Sequence, residues 1–138
     1  MYQVTRKSRI KETLQLCHAN GDVAEEIEVD LNVDAISGRM NKAYEALGIA
    51  QVELEKNSES PISMDKFGQA LIAVFNIVFG EEGTQRILNF YENSYTEMLL
   101  DIYPFIFGEV LPKINEASEE RKRQLVEAAK ATKKRWFK

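Results

Sequence analysis

Apolar and polar residues alternate along the first ordered stretch of the chain. Val23, Ile27, Val29 and Leu31 fall on one side and Glu26, Glu28 and Asp30 on the other, the two-residue period of a half-buried strand. Thr13-Leu14-Gln15-Leu16-Cys17 forms a matching arm, and Asn20-Gly21 between them tolerates the positive φ angles of a tight turn. The pattern predicts a β-hairpin over 12–31. Glu25 interrupts the apolar side and is expected at the edge of burial.

The period then changes. Ile36, Met40, Ala43, Leu47, Ala50 and Leu54 recur at spacings of four and three, a helix capped by Asn32 or Asp34 and running to about Glu55. The seam spans under three heptads and includes Gly38 and Gly48, so an autonomous coiled coil is not expected. Asn57-Ser58-Glu59-Ser60-Pro61 predicts a loop. Ser63 is placed to cap a central core helix through Phe67, Leu71, Val74, Phe75 and Val78, with Gly80 as its stop. A short helix bearing Ile87, Leu88, Phe90 and Tyr91 follows. Another starts near Thr96 and is expected to kink or break at Pro104, which lacks an amide hydrogen. Phe105, Ile106, Phe107, Val110 and Leu111 are densely apolar before Pro112. Ser118 with Glu119 and Glu120 then opens a last, highly charged helix.

The expected fold is mainly α: an N-terminal β-hairpin followed by a compact bundle of about five helices. It reads as one domain over 1–138, with a basic arm at 1–11, the hairpin at 12–31, a helical core at 32–117 and a charged helix at 118–138. A chain of 138 residues can bury a sufficient core without disulfides or metals. Its single cysteine, the absence of an apolar run behind the basic start, and no apolar stretch near 20 residues point to a cytoplasmic protein.

Charge is segregated. Residues 1–11 contribute +4 and residues 119–138 contribute +5 to a total of −4, which leaves −13 between them. Basic ends on an acidic body can contact nucleic acid, yet no recognisable DNA- or RNA-binding motif lies between them.

Catalytic chemistry finds little footing. The one cysteine and the one histidine, Cys17 and His18, are adjacent, and neighbouring strand residues point to opposite faces. No Glu-x-x-His repeat, calcium loop or phosphate loop is present; Phe79-Gly80-Glu81-Glu82-Gly83-Thr84 lacks the Lys-Ser/Thr ending of the last. No catalytic residue, cofactor or metal ligand is assigned. The surplus is aromatic, and Tyr103, Phe105, Phe107, Trp136 and Phe137 are the candidate partner-binding residues.

The order of elements resembles that of the small tail assembly chaperones of long-tailed bacteriophages and related prophage proteins. The resemblance spans most of Leu14 to Ile114. It is carried by the hairpin, by Met40-Asn41-Lys42-Ala43-Tyr44-Glu45-Ala46-Leu47, by Phe75 to Thr84 and by Ile102-Tyr103-Pro104-Phe105-Ile106, all patterns of size and polarity. It implies a non-enzymatic protein that coats the tape-measure protein, keeps it soluble and helps recruit tail-tube subunits. Exposed apolar contacts and adaptable side chains such as Met40, Met64 and Met98 would suit that work. A homo-oligomeric adaptor, and a nucleic-acid-associated regulator using the basic ends, are the alternatives.

Overall fold

The computed structural model describes residues 1–5 and 9–136, the last of these by its backbone alone. Strands β1 (Ile10–Cys17) and β2 (Val23–Leu31) pair antiparallel, with Leu14 opposite Ile27 and Glu12 opposite Val29. Asn20-Gly21 makes the turn, but as a three-residue loop: the Gly21 amide donates to the His18 carbonyl, and Gly21 alone takes positive φ, at 95°. Leu16, Ile27, Val29 and Leu31 are buried. Glu25 lies at the edge of burial as expected, where the Arg86 guanidinium grips one of its carboxylate oxygens at 2.8 and 2.5 Å. Strand β1 begins inside the segment read as a basic arm. Arg9 from that segment is docked, donating to Asp30 at 2.6 Å.

Helix α1 (Val33–Lys56) is capped by Asn32, whose side-chain oxygen accepts from the Asp34 amide. Its predicted seam faces inward: Ile36, Met40, Leu47 and Ala50 are buried, and Ala43 and Leu54 are half-buried against them. The loop at 57–60 leads to α2 (Pro61–Phe90). The cap is Ser60, not Ser63; the Ser60 hydroxyl accepts from the Ser63 amide at 3.4 Å, and Pro61 occupies the first helical position, where its missing amide costs nothing. Ser63 itself is buried.

Gly80 interrupts α2 as expected: with φ 75° and ψ 169°, angles open essentially to glycine alone, it separates two helical stretches by a sharp kink, and the second, bearing Ile87, Leu88 and Phe90, resumes at once. Four residues on, the Thr84 hydroxyl is buried without a hydrogen-bond partner. By length and composition α2 is apolar enough to cross a membrane; here it is the helix on which α1 and the hairpin pack.

Beyond a turn at Tyr91–Ser94, α3 (Tyr95–Tyr103) runs through a π-helical segment (Pro104–Val110) into α4 (Leu111–Trp136). Among the described residues there are thus three helical rods rather than about five. Of the kink or break expected at Pro104, a break is absent, since Tyr103, Pro104 and Leu111 all keep right-handed helical angles, but the helix changes its winding there. The core stripe on this rod explains why. Met98, Ile102, Ile106, Val110 and Ile114 are all buried at a strict spacing of four, which would drift by about 40° per step around an ordinary α-helix. The widened segment, where the Leu111 amide reaches back to the Ile106 carbonyl, takes more residues per turn and holds the stripe on the core. Pro104 and Pro112 bracket it, each lacking the amide that would bond four residues back.

The predicted boundary at 118 falls within α4. The core side of α4 ends near Arg121, which pairs with Asp34 at 2.7 Å. From Lys122 to Arg135 every residue is exposed.

Candidate protein-binding face

Helix α1 and the third rod run antiparallel, tied by Arg121–Asp34 at one point and by the Tyr44 and Phe107 rings, 4.9 Å apart, at another. The same Phe107 ring lies 4.2 Å from that of Tyr103. Three aromatic rings therefore form a continuous row across the junction of two rods, with Phe107 half-buried at its centre. Tyr44 and Tyr103 remain 45% and 39% exposed. Gly48, one turn beyond Tyr44, has open space where a side chain would stand. Leu100 is 69% and Val52 49% exposed, each on the outer side of its helix; Leu100 lies about 200° around α3 from both Met98 and Ile102. Glu97 and Asp101 on α3 and Glu45 on α1 are exposed as well.

The π-helical segment builds this face. By turning Ile106 and Val110 inward it leaves Phe105 and Phe107 on opposite flanks of the buried stripe. Phe105 goes to the core: its ring stacks on Phe79 with centroids 6.0 Å apart and planes 14° from parallel, and Phe79 meets Phe75 edge-on at 5.6 Å. Phe105 is half-buried in that stack and belongs to the fold.

Of the five residues singled out in the sequence, Tyr103 and Phe107 are brought together, and Phe105 is directed elsewhere. The Trp136 side chain and Phe137 lie outside the described residues. Tyr44, Val52 and Leu100 were not singled out. The signal for Leu100 was available, because it sits off the Met98–Ile102 stripe. Tyr44 was legible only as a large ring beside, not on, the α1 seam. Of the three methionines thought to suit adaptable contact, Met64 is exposed, but Met40 and Met98 are fully buried and fill the core.

The remaining polar groups tie the fold together. Lys113 pairs with Glu12 on the inner side of β1, and the Tyr91 hydroxyl donates to Asp101 at 3.1 Å. Burial, then the Asp101 hydrogen bond and the nearby Asp101 and Glu97 charges, push the Tyr91 phenol well above its ordinary value. Cys17 is exposed at the end of β1, and the His18 ring lies 6.3 Å from that of Phe90. Among the described residues no group of three or more His, Cys, Asp or Glu side chains is arranged to hold a metal ion.

No family model, no curated protein and no solved structure matches the chain.

Proposed function

We propose that this chain is a protein-binding assembly factor that shields apolar segments of a larger partner, in the manner of a phage tail assembly chaperone holding tape-measure protein and recruiting tail-tube subunits. The observation that carries the reading is the Tyr44–Phe107–Tyr103 row. Aromatic rings held at the meeting of two rods, with Tyr44 and Tyr103 open to solvent, form an apolar surface of the kind that contacts other proteins. An amphipathic helix laid along the row would place its apolar anchors over Tyr44, Phe107 and Tyr103. A long, aggregation-prone partner such as a tape-measure protein would need its apolar segments covered in this way. The order of elements described above supports the same reading.

The test is co-expression of the chain with a long tape-measure-like protein from the same genome. The large protein is expected to become soluble and to co-purify, and Tyr103→Ser with Phe107→Ser is expected to abolish both effects while circular dichroism stays unchanged. Retention of the complex by that double variant would remove the face from the proposal. An insoluble, unbound large protein would remove the chaperone role.

A further inference from the structure

The buried stripe of the third rod needs its unusual winding only because the rod is one residue too long. From Met98 to Ile114, both buried, an ordinary α-helix would overshoot four turns by about 160° and turn the two side chains apart. With one residue fewer the overshoot is about 60°, within the width of a buried face. The seven residues of the π-helical segment, Pro104–Val110, absorb that surplus. If a residue between Ile106 and Val110 were missing, the stripe would be spaced four, four, three and four, and Met98, Ile102, Ile106, Val110 and Ile114 would fall within an arc of about 80° on a plain α-helix.

Gly108 is the residue whose loss leaves the least behind. It lies in that gap, it is exposed, and nothing stands within 4 Å of where its Cβ would be. Its consequence is visible next door. An α-helical continuation from Ile102 would set Phe107 about 180° around from Met98, on the solvent side. Each residue of the wider turn advances by less than an α-helical residue does, so Phe107 stops short of that side and its ring comes to lie 4.9 Å from that of Tyr44.

We infer that Gly108 is a positioning residue of the protein-binding face: it supplies the surplus that the π-helical segment absorbs, and that segment aims Phe107 at Tyr44. The purpose assigned to it rests on the protein-binding reading of the aromatic row. π-Helical turns are rare and concentrate at functional sites, and this one stands where a shorter α-helix would bury the same stripe. Without it the row would lose its central ring, while Tyr103, ahead of the segment, would keep its place on α3. The fold and the face therefore make separate demands on one stretch of chain, and the length of the segment serves the face.

The test deletes Gly108 from the full chain. Deletion of Glu109, the other exposed residue in the gap, is the second variant, and deletion of Ala128 in the exposed overhang of α4 (122–135) is the control. Folding is read by thermal unfolding, the position of Phe107 by nuclear Overhauser contacts between its ring and that of Tyr44, and binding by co-purification of the tape-measure-like protein. The Gly108 deletion is expected to melt within about 5 °C of wild type, to lose the Tyr44–Phe107 contacts and to retain less than about a tenth of the bound partner. Deletion of Glu109 should do the same, and deletion of Ala128 should leave both contacts and binding intact. Unfolding of both the Gly108 and the Glu109 deletions would show that the core itself needs the wide turn and would overturn the inference. So would a folded deletion that keeps the Tyr44–Phe107 contacts, or one that loses them and binds as wild type does. A wild-type chain that binds no partner would remove the protein-binding reading and with it the purpose assigned to Gly108, while the melting and the ring contacts would still decide whether Gly108 places Phe107.

Discussion

The two ends of the third rod have similar length and are both helical, yet they have opposite surroundings. Between Met98 and Ile114 every fourth residue is buried, and the helix changes its winding to keep it so. Between Lys122 and Arg135 nothing is buried, and the backbone is ordinary α-helix. Where tertiary packing rewards a stripe, the backbone bends to serve it; where packing is absent, helix persists on propensity and charge alone. Amide exchange should divide the rod accordingly, with protection approaching that of global unfolding from Ile102 to Ile114 and almost none beyond Leu125.

Side-chain truncation should show the largest contrast. Ile106→Ala removes a fully buried side chain from the stripe and should cost about 2–5 kcal/mol in denaturant unfolding. Leu125→Ala, measured at sub-micromolar concentration, should stay within about 0.5 kcal/mol of wild type. Equal costs at the two positions would mean that the overhang is packed on the body in solution.

Next in size is Gly68→Ala. A Cβ there would stand 2.3 Å from the Tyr95 ring, which anchors the start of α3 against α2. Either the ring or the helix must move, at a cost of about 1–3 kcal/mol. Gly48→Ala, with nothing near it, should instead stabilise α1 slightly by its higher helix propensity.

These elements differ in how far the sequence discloses them. The hairpin, the α1 seam and the α2 core were legible because periods of 2 and 3.6 are local properties of the chain. A cap at Asn32 or Asp34, of which the structure uses Asn32, and Glu25 as an edge residue followed from single side chains. The continuity at Pro104 did not, because proline argues for a break unless the unusual four-residue spacing from Met98 to Ile114 is weighed against it. Gly80 was legible as an interruption because a φ of 75° is open to glycine at no steric cost, but the immediate resumption of helix beyond it was not a local property of that residue. Phe105 and Phe107, two residues apart, looked equivalent; the winding of the segment between Pro104 and Pro112 sends one to the Phe79 stack and the other to Tyr44.

Alkaline pH probes the base of the third rod. The Tyr91 phenol is held above its ordinary value of about 10, so below that pH both folded and unfolded chains keep the proton and stability does not depend on it. As pH rises past about 10 the unfolded chain loses the proton first, and stability should fall by up to about 1.4 kcal/mol per pH unit. Tyr91→Phe should be less stable at pH 7, having left Asp101 without its donor, but its unfolding free energy should decline less steeply between pH 10 and 11. Parallel declines in the two proteins would mean that the phenol titrates normally.

The smallest effect concerns the turn that launches the rod. Helix α2 ends with the Asn93 amide on the Leu88 carbonyl and the Glu92 amide on the Asn89 carbonyl, a Schellman closure whose left-handed position is usually glycine. Here it is Glu92, at φ 52°, followed by Asn93 at φ 64°. Asparagine tolerates that region, whereas glutamate is strained in it. Glu92→Gly should relieve the strain at a site where the side chain is exposed, and its gain is offset by the greater freedom of glycine in the unfolded chain. A net stabilisation of about 0.5–1 kcal/mol is expected, with the aromatic row and the α4 overhang unchanged. A loss of stability would show that Glu92 makes an interaction worth more than its backbone strain. The direction in which α3 leaves α2, and so the placement of Tyr103 opposite Tyr44, would then depend on that side chain as well as on the turn.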